Sequence, residues 1–158
     1  MANTQSMCTS FMGELMTATH NFGTAPTRGT SATDTFKAAL YLVSATYNAS
    51  TTAYSATGEV SGTNYTAGGV TVTAATAPTA TNSSATAGVA FFTPSASITY
   101  TTVTLATAFD AVLIYNSTQS NKAVSVHTFG SQTITAGTFT LTMPSNTTTT
   151  ALLRLSTT

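Results

Sequence analysis

The chain has 158 residues, a formal net charge of zero and eight charged side chains: Glu14, Arg28, Asp34, Lys37, Glu59, Asp110, Lys122 and Arg154. Forty threonines and twenty-five alanines supply about two fifths of it, with one Cys, two His and no Trp. So sparse a set of ionisable groups argues against most metal and acid–base chemistry, and it denies nucleic acid or an anionic membrane the basic patch either requires.

A chain of this length fits one domain. Cys8 is the lone cysteine, so no internal disulfide can form. No apolar run approaches the ~20 residues of a membrane span, and the amino terminus has neither the basic cluster nor the apolar core of a signal peptide. Near-zero charge removes the repulsion that keeps copies apart in solution, which suits a protein that associates.

In chain order, Met7, Cys8, Phe11, Met12, Leu15 and Met16 fall on one side of a 3.6-residue period, predicting an amphipathic helix over 6–17. Thr9, Ser10, Gly13 and Glu14 face the other way. The helix either caps its own domain or forms an arm that docks on a neighbour. Residues 23–34, rich in Gly, Pro, Thr and Ser, read as a loop. Thr35–Val43 is apolar on one face and half apolar on the other, as in a strand packed on both sides.

Residues 44–69 are polar and punctuated by Gly58, Gly62, Gly68 and Gly69. They predict a long excursion with one irregular helical turn near Thr51–Ala56; excursions of this length are usually functional or flexible. Short strands follow at Val70–Thr73, Val89–Phe92, Ile98–Leu105, Ala111–Tyr115, Ala123–Phe129, Thr138–Met143 and Leu152–Leu155, with 76–87 a poorly packing loop. In Ile98–Leu105 the period-two alternation slips at Thr101–Thr102, the signature of a β-bulge. Ala111–Tyr115, apolar on both faces, is the expected central strand. The fold class is therefore all-β, an antiparallel β-sandwich or jelly-roll-like domain over 23–158, preceded by a helical arm over 1–22.

Catalytic readings are thin. His127 lies on the strand face opposite Val124 and Val126, where a satisfied histidine is commoner than a ligand. No His or Cys spacing builds a zinc site, and no cofactor motif is present. A triad from His127 and Asp110 is conceivable only by arithmetic, and no Gly-x-Ser-x-Gly elbow accompanies it. Four scattered acids do not suggest the paired carboxylates of glycoside hydrolysis. The expectation is a protein without enzymatic activity, metal or cofactor.

Several runs carry a family likeness: Glu14–Phe22, Asp34–Tyr41, Ser50–Gly69, Ala111–Ser117 and Asn121–Val126. Most distinctive are Tyr54-Ser-Ala-Thr-Gly-Glu-Val-Ser-Gly62 and Leu113-Ile-Tyr-Asn-Ser117. In this order, and over residues 8–155, the chain resembles small virion proteins encoded in the structural modules of tailed bacteriophages and prophages. The resemblance implies a structural role on the particle, assembled in the bacterial cytoplasm, and carries no catalytic residue.

The leading expectation is a capsid decoration protein that binds the outer surface of the head where major capsid subunits meet, and self-associates as a dimer or trimer. The alternative is a neck, tail or fibre protein with a sugar-binding role, although the absence of Trp counts against a carbohydrate site. Expected contact residues are Phe11, Met12, Leu15 and Met16 of the helix and Tyr47, Tyr54 and Tyr65 of the excursion, since tyrosine is enriched at interfaces. The competing reading of the tyrosines is that they pin the excursion to its own domain.

Overall fold

The computed structural model describes residues 2–16, 18–22, 33–73, 78–81 and 88–156. Ser6–Met7 forms β1, Thr9–Met16 the helix α1, Phe36–Leu42 β2, Val70–Val72 β3, Thr79–Ala80 β4, Val89–Phe92 β5, Ile98–Asn116 β6, Lys122–Leu141 β7 and Leu153–Ser156 β8. All pairings are antiparallel: a five-stranded sheet in the order β1-β7-β6-β2-β3 and a three-stranded sheet in the order β4-β5-β8. The fold is all-β and sandwich-like, with the strands divided five and three.

β2 is the strand packed on both sides that its composition predicts. Alternate side chains of a strand point to opposite faces. On one face Phe36 stacks on Phe22 at 4.3 Å and lines a small cavity with Phe92 and Leu153 of the three-stranded sheet. On the other, Tyr41 packs against Tyr47 of the excursion at 3.7 Å between ring centroids. β6 runs between β2 and β7, and Ala111–Tyr115 is fully buried there, the central position expected of it.

Several expectations need correction. The strands expected at 98–105 and 111–115 are one 19-residue strand, and those at 123–129 and 138–143 are one 20-residue strand. Intervening residues lack alternation because the register slips repeatedly, between Tyr100 and Val103, Val103 and Leu105, Leu105 and Phe109, and Phe109 and Ala111. The first slip is the bulge read at Thr101–Thr102, where Thr102 takes a φ of 53°.

The helix is shorter than 6–17. Ser6 and Met7 pair with Val126 and Ser125 instead, so the amino-terminal segment is woven into the main sheet rather than standing off as an arm. Its end is closed by a Schellman arrangement: Ala18 adopts a φ of 55°, and the N–H groups of Ala18 and Thr19 donate to the carbonyls of Leu15 and Glu14. Residues 44–69 hold no helical turn. They run as bends held by three isolated bridges, Tyr41 to Glu59, Ala53 to Lys122 and Thr63 to Thr104. The loop read over 23–34 lies outside the described residues except for 33 and 34. Most of 76–87 lies outside them too, but Thr79–Ala80 pairs with β5 as a short edge strand.

Candidate interaction surface

Each of the four Asp and Glu side chains accepts a hydrogen bond from within the chain, and this decides which residues remain for a partner. Glu59 is the hub of the excursion. Its Oε1 accepts from the Tyr65 hydroxyl at 2.8 Å and the Gly68 N–H at 2.7 Å, and its Oε2 accepts from the Tyr54 hydroxyl at 2.6 Å. The Tyr65 oxygen in turn accepts the Leu40 N–H of β2 at 3.0 Å. Tyr54 stacks on Tyr115 at 4.8 Å, and Tyr115 donates to the Gly68 carbonyl at 2.8 Å. Tyr41 donates to the Ser55 carbonyl at 2.6 Å, and the Tyr47 hydroxyl lies within reach of the carbonyls of Ser55 and Thr57. Burial first, and then the negative Glu59, push the phenols of Tyr54 and Tyr65 well above their usual pKa.

A second hub joins the amino-terminal segment to the β6–β7 hairpin. Lys122 Nζ donates to Glu14 Oε1 at 2.6 Å, and Glu14 Oε2 meets His20 Nε2 at 2.7 Å. The other ring nitrogen, Nδ1, lies 3.1 Å from Asn116 Nδ2, which also donates to Asp34 Oδ2 at 2.7 Å. Asn116 Oδ1 accepts from the N–H groups of Thr118 and Gln119, which fixes the amide orientation. His20 Nδ1 must therefore accept, so the ring carries its proton on Nε2 and donates it to Glu14. Asp34 is completed by the Asn21 N–H and by Gln119 Nε2. Burial works to raise the Glu14 carboxyl, but the hydrogen bonds from Lys122 and His20 and the charge of Lys122 outweigh it and hold the pKa below its usual value. Glu14, expected on the solvent face of the helix, is thus turned into this network, with its side chain 14% exposed.

The remaining reactive groups are separated. His127 Nε2 bonds Ser125 Oγ at 2.9 Å, and Ser125 is buried. His127 lines an apolar cavity of about 130 Å³ with Val112, Phe129, Leu141 and Met143, and burial lowers its pKa to about 4. Asp110 accepts instead from Asn3 Nδ2 at 2.7 Å. Cys8 is fully buried, and burial, with Glu14 nearby, raises its thiol to about 11, so it carries no thiolate at neutral pH. Among the described residues no group of three or more His, Cys, Asp or Glu is placed to hold a metal ion, and no helix is long and apolar enough to cross a membrane.

The seven residues read from the sequence as contacts divide in two. Tyr47 is 7% exposed, and Tyr54 and Tyr65 are half-buried with their hydroxyls aimed at the excursion or at Glu59. These three bind residues 44–69 to the chain's own main sheet. Phe11 is buried against His20 and Phe22. Leu15 is half-buried and Met12 is 47% exposed; the side chain of Met16 lies outside the described residues.

α1 and the three-stranded sheet enclose a cleft of about 80 Å³ whose wall is almost wholly apolar, including Met7, Phe11, Leu15, Phe91 and Leu155. Leu155 is 40% exposed at its rim. Sequence reading identified the helical wall but missed the β5–β8 wall. The available signal was the alternation Leu153-Arg154-Leu155-Ser156, which sets both leucines on one face of a short strand. Nothing among the family models, the curated proteins or the solved structures matches this chain.

Proposed function

We propose that this chain is a structural protein of a tailed-phage virion, a decoration protein that binds the outer surface of the head and braces it. The observation that carries the reading is the apolar cleft between α1 and the three-stranded sheet, with exposed Leu155 in its wall and exposed Met12 on the same helix, on a chain whose Asp and Glu side chains are all engaged internally. An exposed apolar patch bordered by polar surface marks an interaction site rather than a solvated face. The partner is the major capsid protein, the resemblance of the five sequence runs gives the particle, and neutral Thr-rich surroundings suit broad contacts of backbone and hydroxyl groups. Each copy contributes modestly, and a repeating shell multiplies the gain. The role is mechanical and uses neither catalysis nor cofactor.

Quantitative mass spectrometry of purified particles tests this. Stoichiometry comparable to that of the shell subunit supports decoration, and Met12→Asp with Leu155→Asp then abolishes attachment while leaving the circular dichroism unchanged. Stoichiometry lower by an order of magnitude or more overturns decoration and moves the protein to the neck or tail.

A further inference from the structure

The outer side of β7 is covered only at its start. Ala123 N–H donates to the Thr52 carbonyl, Cys8 N–H donates to the Val124 carbonyl, and β1 pairs with Ser125 and Val126. From His127 to Leu141 no described residue pairs with that side, although the inner side is laddered to β6 as far as Ile98. A strand directs every second N–H and C=O to each side, so this edge presents a row of unused donors and acceptors.

Proteins usually guard such an edge with lysine, proline or bulges. Thr128–Met143 contains no charged residue and no proline. Only bulges interrupt it: the register with β6 slips between Thr128 and Gln132 and again between Ile134 and Gly137, where Ala136 takes a φ of 47°. Beyond them Gly137–Leu141 runs straight, because the next irregularity is absorbed by β6 at Thr102. Thr138 and Thr140 are exposed there, and Phe139 and Leu141 are half-buried at the rim of the core.

We propose that Gly137–Leu141 pairs antiparallel with the same tract of a second copy, about a two-fold axis at Phe139, so that two five-stranded sheets become continuous. The occupant follows from the charge pattern. A different partner is ordinarily selected by complementary charge, and this edge offers none. Facing its own copy, the tract sets Thr138 opposite Thr140 and Phe139 opposite Phe139, pairings that stabilise antiparallel strands, with no like charges brought together. A closed two-fold interface uses the edge once and leaves none for further addition. The added strand also covers the exposed flanks of Phe139 and Leu141. This inference does not depend on the virion reading, so either can fail alone.

Sedimentation velocity over a concentration series, on the wild type and two double variants, is the test. Thr138→Lys with Thr140→Lys places like charges opposite each other twice across the axis, whereas Thr138→Lys with Thr140→Glu places opposite charges there. The wild type is expected to dimerise, the first variant to associate about tenfold more weakly or worse, and the second to regain or exceed wild-type association. Thermal melts check that the exposed substitutions leave each monomer folded. A wild type that remains monomeric throughout the series, or a dimer that the first variant retains, overturns the proposal.

Discussion

Residues 44–69 and residues 130–141 make opposite use of the backbone. The first segment holds no named strand or helix, yet its backbone and side chains are tied down by Glu59, by tyrosine hydroxyls and by bridges to β2, β6 and β7. The second lies within one strand, bulged as far as Gly137 and regular from there to Leu141, yet no described residue pairs with one side of it. Regularity of secondary structure and closure of hydrogen bonds are separate properties. A half-buried carboxylate ringed by phenols can close an irregular segment, while a ladder with a single neighbour leaves a regular one open.

The largest effect is expected where the excursion touches β2. Gly69 has a φ of 72°, and a Cβ there would run into the carbonyl of Ala38. Gly69→Ala combines left-handed strain with backbone overlap and should cost about 3 kcal/mol or more in urea unfolding; a cost under about 1 kcal/mol would mean that the excursion is not locked to the sheet. Glu59→Ala comes next. It strands the hydroxyls of Tyr54 and Tyr65 and the Gly68 N–H, for a loss of about 2–3 kcal/mol, with Glu59→Gln losing less because one acceptor survives.

At the start of the uncovered edge, His127 predicts an acid effect. Unfolded, it takes up a proton near 6.5; folded, only near 4. The unfolded state therefore binds more protons between these values, and stability falls as pH drops through that window, by on the order of 2 kcal/mol. Denaturant midpoints at pH 7, 5 and 4 should show the fall, and His127→Gln should flatten it. The smallest effect lies on the edge itself. Ala136→Gly relieves a φ of 47° and should stabilise the chain by about 0.5–1 kcal/mol, measured as a higher urea midpoint.

Much of the strand layout was legible because burial imprints a period of two. β2 showed both faces apolar, Ala111–Tyr115 showed a central strand, and the slip at Thr101–Thr102 showed its bulge. The joining of 98–105 to 111–115 was hidden, since the later register shifts erase the alternation that would have linked them. The helical turn expected near Thr51–Ala56 yields to distant partners: Ala53 bridges Lys122 and Tyr54 N–H bonds the Asn121 carbonyl. Periodicity cannot report a contact across sixty or more residues.

The site divides along the same line. The helical wall of the cleft was visible as a stripe of Met, Phe and Leu, whereas its other wall needed β5 and β8 to be brought beside it. The tyrosines stood out in the sequence as anchors, with both their own domain and a neighbour open as their target. Glu59, a lone acid within a polar segment five residues after Tyr54 and six before Tyr65, was the signal for an internal hub.

Amide hydrogen exchange, read residue by residue in dilute and concentrated protein, tests the contrast most directly. Slow exchange is expected at Val60, Gly68 and Gly69, whose N–H groups bond the Leu40 carbonyl, Glu59 and the Thr66 carbonyl. Fast exchange is expected at alternate amides of Gly137–Leu141 in dilute solution, with protection appearing as the concentration rises. Fast exchange across 44–69 together with concentration-independent protection along β7 would contradict that contrast.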